Sequence, residues 1–148
     1  KKYDRTIDQM IQAARSGKQN IAEASMASAT SKETEIKLTN VARASLEELL
    51  IDYEDYLRTN KLKKWERSDR FSLRFNELNK TPAANYDTFK KAIEHDSPEI
   101  SANIMCCLIN VTSYLLGRQL VALEKAFLNE GGLRERMTRA RIRRRNKQ

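Results

Sequence analysis

Only four glycines and two prolines interrupt 148 residues, and this scarcity restricts the fold more than any motif does. Sheets of short strands need frequent tight turns, and those turns draw on glycine and proline. A chain this poor in both must run as long helices. Its length suits a single domain with a real core. With 32% charged and 40% hydrophobic residues, the composition suits amphipathic helices in water. The expected class is all-α: an up-and-down helical bundle of long amphipathic helices with a basic C-terminal extension.

Start signals and periodicity place the helices. Thr6 with Gln9 forms a capping-box pattern, and Ile7, Met10, Ile11, Ala14, Ile21 and Met26 then recur at helical spacing. Ala13, Ala14, Ser16 and Gly17 make a patch of small side chains. A mid-helix glycine costs about 1 kcal/mol relative to alanine, so another helix is expected to approach closely there. This first helix should end around residues 28–30. A second start, at Thr30 with Glu33 or Ser31 with Thr34, opens a helix reaching about Arg58. Its apolar stripe, from Leu38 through Leu46 and Leu49 to Leu57, is wide enough for more than one neighbour. Residues 59–96 predict two short helices. One spans about 68–79 and packs Phe71, Phe75 and Leu78. The other is capped by Asn85 and packs Tyr86, Phe89 and Ile93. Ser97-Pro98-Glu99 combines a cap, a proline at the first helical position and a first-turn acid. From there a long central helix should run to about Asn129, where Gly131-Gly132 ends or bends it.

Charge is segregated along the chain. The net charge is +8, yet residues 134–147 hold seven arginines and one lysine against the single acid Glu135. That stretch carries +7, which leaves about +1 for everything before it. The organisation expected is a helical bundle over residues 1–130 and a basic tail over 131–148, either a helical extension or disordered. Arg134, Arg136, Arg139, Arg141, Arg143, Arg144, Arg145 and Lys147 are the principal nucleic-acid-binding candidates. Clustered guanidiniums grip phosphates by bidentate contacts and release condensed counterions. Such a run reads the backbone, not the bases. Leu133, Met137 and Ala140 share helical spacing, which would make the tail a basic amphipathic helix. A solvated terminus that only aids solubility is the bland alternative. Lys61, Lys63, Lys64 and Arg67 around Trp65 form a secondary basic patch with a stacking aromatic, diluted by Glu66 and Asp69.

Other chemistry is sparse. His95, the one histidine, sits between Glu94 and Asp96 without a second imidazole or thiol nearby, so a hydrated surface side chain is expected and no metal site. Glu47, Glu48, Asp52, Glu54 and Asp55 lack the histidine partner of a carboxylate-bridged metal centre, which favours a solvated acidic face. Cys106 and Cys107 are adjacent in an apolar run and point about 100° apart on a helix, so they read as small core residues in a reducing cytoplasm. Neither a phosphate-cradling glycine loop nor a nucleophile elbow is present. The chain is expected to be no enzyme and to need no cofactor. The longest apolar runs are far too short to span a bilayer, so no membrane partner is expected.

The segment Ala13-Ala14-Arg15-Ser16-Gly17-Lys18-Gln19-Asn20-Ile21-Ala22-Glu23 resembles the signature of a bacterial family of four-helix-bundle proteins, first noticed as products of intervening sequences in 23S ribosomal RNA genes. Ser31-Lys32-Glu33 and Ala44-Ser45-Leu46-Glu47-Glu48-Leu49 are similar to its second stretch. Residues 53–58, Trp65 and residues 130–137 resemble a subgroup with a C-terminal suffix extension. The resemblance implies an up-and-down bundle, assembly into ring-like homopentamers and a link to RNA, because related proteins assist reverse transcriptases. It carries over no catalytic residue. Two positions depart from the pattern. Ala24 stands where the family has glycine, and the family's first long helix would lie ahead of Lys1, leaving a groove where it belongs. The expectation is an oligomeric module that binds nucleic acid, RNA foremost, through its tail. The alternative is a protein-interaction scaffold or an accessory subunit of a nucleic-acid enzyme such as a reverse transcriptase.

Overall fold

The structure, a computed structural model, describes residues 5–147, and every regular element among them is helical. Lys1 and Lys2 lie outside the described residues. The elements are α1 (Arg5–Ala27), α2 (Lys32–Thr59), α3 (Arg70–Asn79), α4 (Tyr86–Ile93), α5 (Pro98–Glu130) and α6 (Leu133–Arg145). Helix α1 is described from Arg5 and so starts near Thr6, as expected.

Helix α2 packs against two of the other helices. On one side it packs against α1, on the other against α5. The small patch in α1 does what its composition suggests. A Cβ on Gly17 would lie 3.0 Å from Leu46 Cδ2, and the Ser16 and Ser45 hydroxyls are 2.8 Å apart. Ala13, Gly17 and Ala24 are buried, whereas Ala14 faces solvent. Pairing runs in opposite order along the two helices: Ser16 meets Ser45, while Ile21 and Ala24 share a cavity with Glu35 and Thr39. The α2–α5 pair is also antiparallel. Leu57 packs with Ala102 and Cys106, while Lys32 pairs with Glu130 at 3.2 Å.

Ala13, Ala42, Leu46, Leu49, Ile109 and Leu116 form the core shared by α1, α2 and α5. A second core, made by Phe75, Phe89 and Ile104, seats α3 and α4 against the N-terminal half of α5. The Phe75 and Phe89 rings stand 5.5 Å apart. Asn85 caps α4 as expected, accepting from the Asp87 N–H. Tyr86 corrects the expected packing, being exposed and donating its hydroxyl to Glu94. Ser31 is the cap of α2, with its Oγ accepting from the Thr34 N–H at 3.2 Å. Ser97 makes no side-chain cap bond to α5; its N–H instead donates to His95 Nδ1 at 2.9 Å.

Helix α5 shows a feature different from an unbroken apolar run, one that core helices of soluble proteins share. An 18-residue stretch within it reaches a mean hydropathy of 1.5, so by length and composition it could cross a membrane. Counting unbroken apolar runs missed this because Asn103, Asn110, Thr112 and Ser113 interrupt the run without adding charge. About a third of that stretch is buried here.

Candidate nucleic-acid interface

The basic segment is a helix, built from a junction that holds its first turn. Gly131 has φ 72°, a conformation that side-chain-bearing residues avoid. It ends α5 with its N–H on the Phe127 carbonyl at 2.8 Å. Gly132 is buried, and a Cβ there would fall 2.8 Å from Glu33 Oε1 and 3.3 Å from Phe127. The glycine pair therefore lets the chain pass close under the start of α2. The Gly132 N–H donates to the Glu135 carboxylate, which closes the first turn of α6. Arg139 donates to the Glu130 carbonyl, placing a cation at the negative end of the α5 dipole.

Beyond that junction α6 stands in solvent. No residue of Leu133–Arg145 is buried. Arg134, Arg136, Arg139, Arg141, Arg143, Arg144, Arg145 and Lys147 are all exposed. Among the described residues, none of these eight cations has a carboxylate within ion-pair distance; the ion pairs of the fold lie elsewhere. At about 100° per residue, six of the arginines line two opposed sides of α6, Arg144 falls between them beside Leu133 and Met137, and the remaining flank carries Glu135, Thr138 and Ile142. It is not the amphipathic helix that Leu133, Met137 and Ala140 suggest, and Leu133 and Met137 remain about half exposed.

The secondary patch is arranged differently. Lys63 Nζ pairs with Asp69 at 2.8 Å, and Lys64 Nζ with Glu54 at 2.6 Å. Hydrogen bonding to Lys63 holds the Asp69 carboxyl below its usual range and pushes the Lys63 ammonium up. Trp65 is half-buried and stacks on Phe71 with centroids 5.0 Å apart, so one ring face is already covered. Lys61 and Arg67 stay exposed, with Lys61 in the left-handed conformation that closes α2. The patch is thus two paired lysines, two free cations and an anchored tryptophan.

Sequence reasoning passed over Asn103, the buried polar residue that ties this connector down. Its Oδ1 accepts from the Trp65 N–H at 2.8 Å, and its Nδ2 donates to the Lys63 and Glu99 carbonyls at 2.7 and 2.8 Å. An asparagine inside an apolar run was the available signal. Elsewhere, Glu47 and Glu48 are exposed and no group of three or more potential metal ligands occurs among the described residues. His95 is exposed. Cys106 is buried, and burial pushes its thiol up to about 11; Cys107 is half-buried and shifted in the same direction for the same reason. Between α1 and α2 runs a groove lined by Gln9, Gln12, Ser16, Ser45, Glu48 and Asp52.

Compared with protein-family models, curated proteins and solved structures, the chain finds no match.

Proposed function

We propose that this chain is an oligomeric helical-bundle protein of the cytoplasm that binds nucleic-acid backbone through α6. The observation that carries the reading is the state of the arginines. Seven guanidiniums crowd a solvent-exposed helix with Lys147 just past its end, and among the described residues none of them has a carboxylate within ion-pair distance. Such a density of cations is stabilised by polyanions through counterion release. The reading includes an up-and-down bundle and assembly of several copies, as the resemblance to the intervening-sequence family implies, with homopentamers the favoured size. A ring of copies would present several α6 helices at high effective concentration to one strand. It assigns no catalytic residue and no cofactor.

The test is a salt series on the full chain and on a version ending at Gly132, with RNA and DNA as probes. The expected log–log slope approaches about −0.7 to −0.9 per phosphate contacted and largely vanishes on truncation. Equal binding by both versions would overturn the reading.

A second reading rests on a different observation. Tyr114, Val121 and Leu128 are 64%, 67% and 82% exposed, and their seven-residue spacing puts them along one side of α5. An apolar row like this fits a protein contact, and so favours a scaffold or an accessory subunit of a nucleic-acid enzyme. In that case the truncated chain keeps its partner.

A further inference from the structure

We infer that α6 takes a nucleic-acid duplex with an open major groove, B-form DNA, and lies lengthwise in that groove. The inference rests on the nucleic-acid reading and names the class of ligand. It comes from how the arginines are distributed around the helix. At about 100° per residue, Arg134, Arg141 and Arg145 fall in one row along α6. Arg136, Arg139 and Arg143 fall in a second row on the opposite side. Each row runs most of the length of Leu133–Arg145, and all six side chains are exposed. Arg139 spends one donor on the Glu130 carbonyl, which leaves the rest of its five N–H groups available.

Two opposed cationic rows match a ligand with phosphates on two sides. A helix with its side chains is about 10–12 Å across, and the B-form major groove is about 12 Å wide, flanked by a phosphate strand on each wall. Thirteen residues span about 20 Å, little more than half of the roughly 34 Å helical turn of DNA, so the straight helix stays within the groove. The flank between the rows that carries Leu133, Met137, Ala140 and Arg144 would face the groove floor, where thymine methyl groups offer apolar contact and guanine O6 and N7 accept from an arginine.

The other nucleic-acid classes fit less well. A single strand presents one phosphate line and is held by aromatic stacking. Helix α6 contains no aromatic residue, and the nearest basic patch has one tryptophan face covered by Phe71. An RNA duplex has a deep, narrow major groove that does not admit a helix with its side chains.

Fluorescence anisotropy with the full chain tests this, using a mixed-sequence DNA duplex, one of its strands alone and an RNA duplex of equal length at matched salt. The DNA duplex is expected to bind about tenfold more tightly than either other probe. Removing the first row as R134Q/R141Q/R145Q, or reducing the second to Arg139 alone as R136Q/R143Q, is expected to abolish that preference, because a helix with one full row meets one strand. Comparable binding of single strand or RNA duplex by the unmodified chain overturns the groove assignment, and so does a duplex preference that survives removal of a row. In both outcomes the backbone-binding reading stands. Absence of salt-dependent binding to all three probes overturns that reading itself.

Discussion

The Asn103 side chain accepts a hydrogen bond from the Trp65 backbone N–H at 2.8 Å and returns one to the Lys63 carbonyl at 2.7 Å. Through that pair of bonds a fully buried residue of α5, 2% exposed, fixes the irregular stretch joining α2 to α3. The Asn103→Ala variant would leave the Lys63 carbonyl and the Trp65 N–H without this partner. Each such loss costs about 1–3 kcal/mol when the group stays buried. The expected total is about 2–4 kcal/mol, read from urea unfolding, with a red-shifted Trp65 emission in the folded state. An unchanged midpoint would refute the role assigned to this side chain.

Contact between α1 and α2 depends on Gly17. A Cβ would sit 3.0 Å from Leu46 Cδ2, so alanine adds helix propensity worth about 1 kcal/mol while crowding a movable leucine tip. Gly17→Ala should be close to neutral. Gly17→Val should overpack the contact and lose about 1–3 kcal/mol. Thermal or urea unfolding of both variants checks the order; a neutral valine variant would show that the helices have room to separate.

The junction before α6 is sensitive at Gly131. With φ 72°, alanine at this position adds about 1–3 kcal/mol of local strain, and its Cβ would collide with Glu135 and Arg139. The cost falls on the first turn of α6, so Gly131→Ala should leave the unfolding midpoint of the body unchanged. Tryptic cleavage between residues 134 and 145 should accelerate. Equal cleavage rates in the two proteins would mean the junction does not hold the helix.

Helix α6 has no buried residue, and thirteen residues are marginal as an isolated helix in water. Arg139 with Arg143, and Arg141 with Arg145, add like-charge repulsion of about 0.2–0.5 kcal/mol per pair. Polyanion binding removes that repulsion. Far-UV circular dichroism is therefore expected to show a gain in helix on adding polyphosphate to the full chain, and no gain for a chain ending at Gly132. A gain in both would place the change in the body.

Alkaline pH acts through Cys106. Burial raises its thiol to about 11 from 9.0, so the folded state holds the proton more tightly than the unfolded chain. The associated stability is complete below about pH 9 and is lost as pH rises toward 11. Tyr53, raised by burial and then by Cys106, acts in the same sense. The unfolding midpoint should fall over this window, and fall less in Cys106→Ala. Near neutral pH, Cys106 should react with thiol reagents only as the protein unfolds.

Helix positions were legible because each depends on neighbours in sequence. Ser31 before Thr34, Asn85 before Asp87 and Pro98 at a first helical position are local signals, and the observed elements start where these signals lie. Tyr86 misled because an aromatic ring at the right spacing can still face water, with its hydroxyl held by Glu94. The same limit hid Asn103: its three partners lie on a connector whose path no periodicity predicts.

The sequence by itself determined the helical class, the close approach at Gly17 and the concentration of +7 on residues 134–147, because turn chemistry, side-chain size and formal charge are properties of the residues alone. Only the tertiary structure decided which cations stay unpaired. Lys63 and Lys64 find Asp69 and Glu54 because folding brings those acids within reach, while the α6 arginines stay exposed with no carboxylate at ion-pair distance among the described residues.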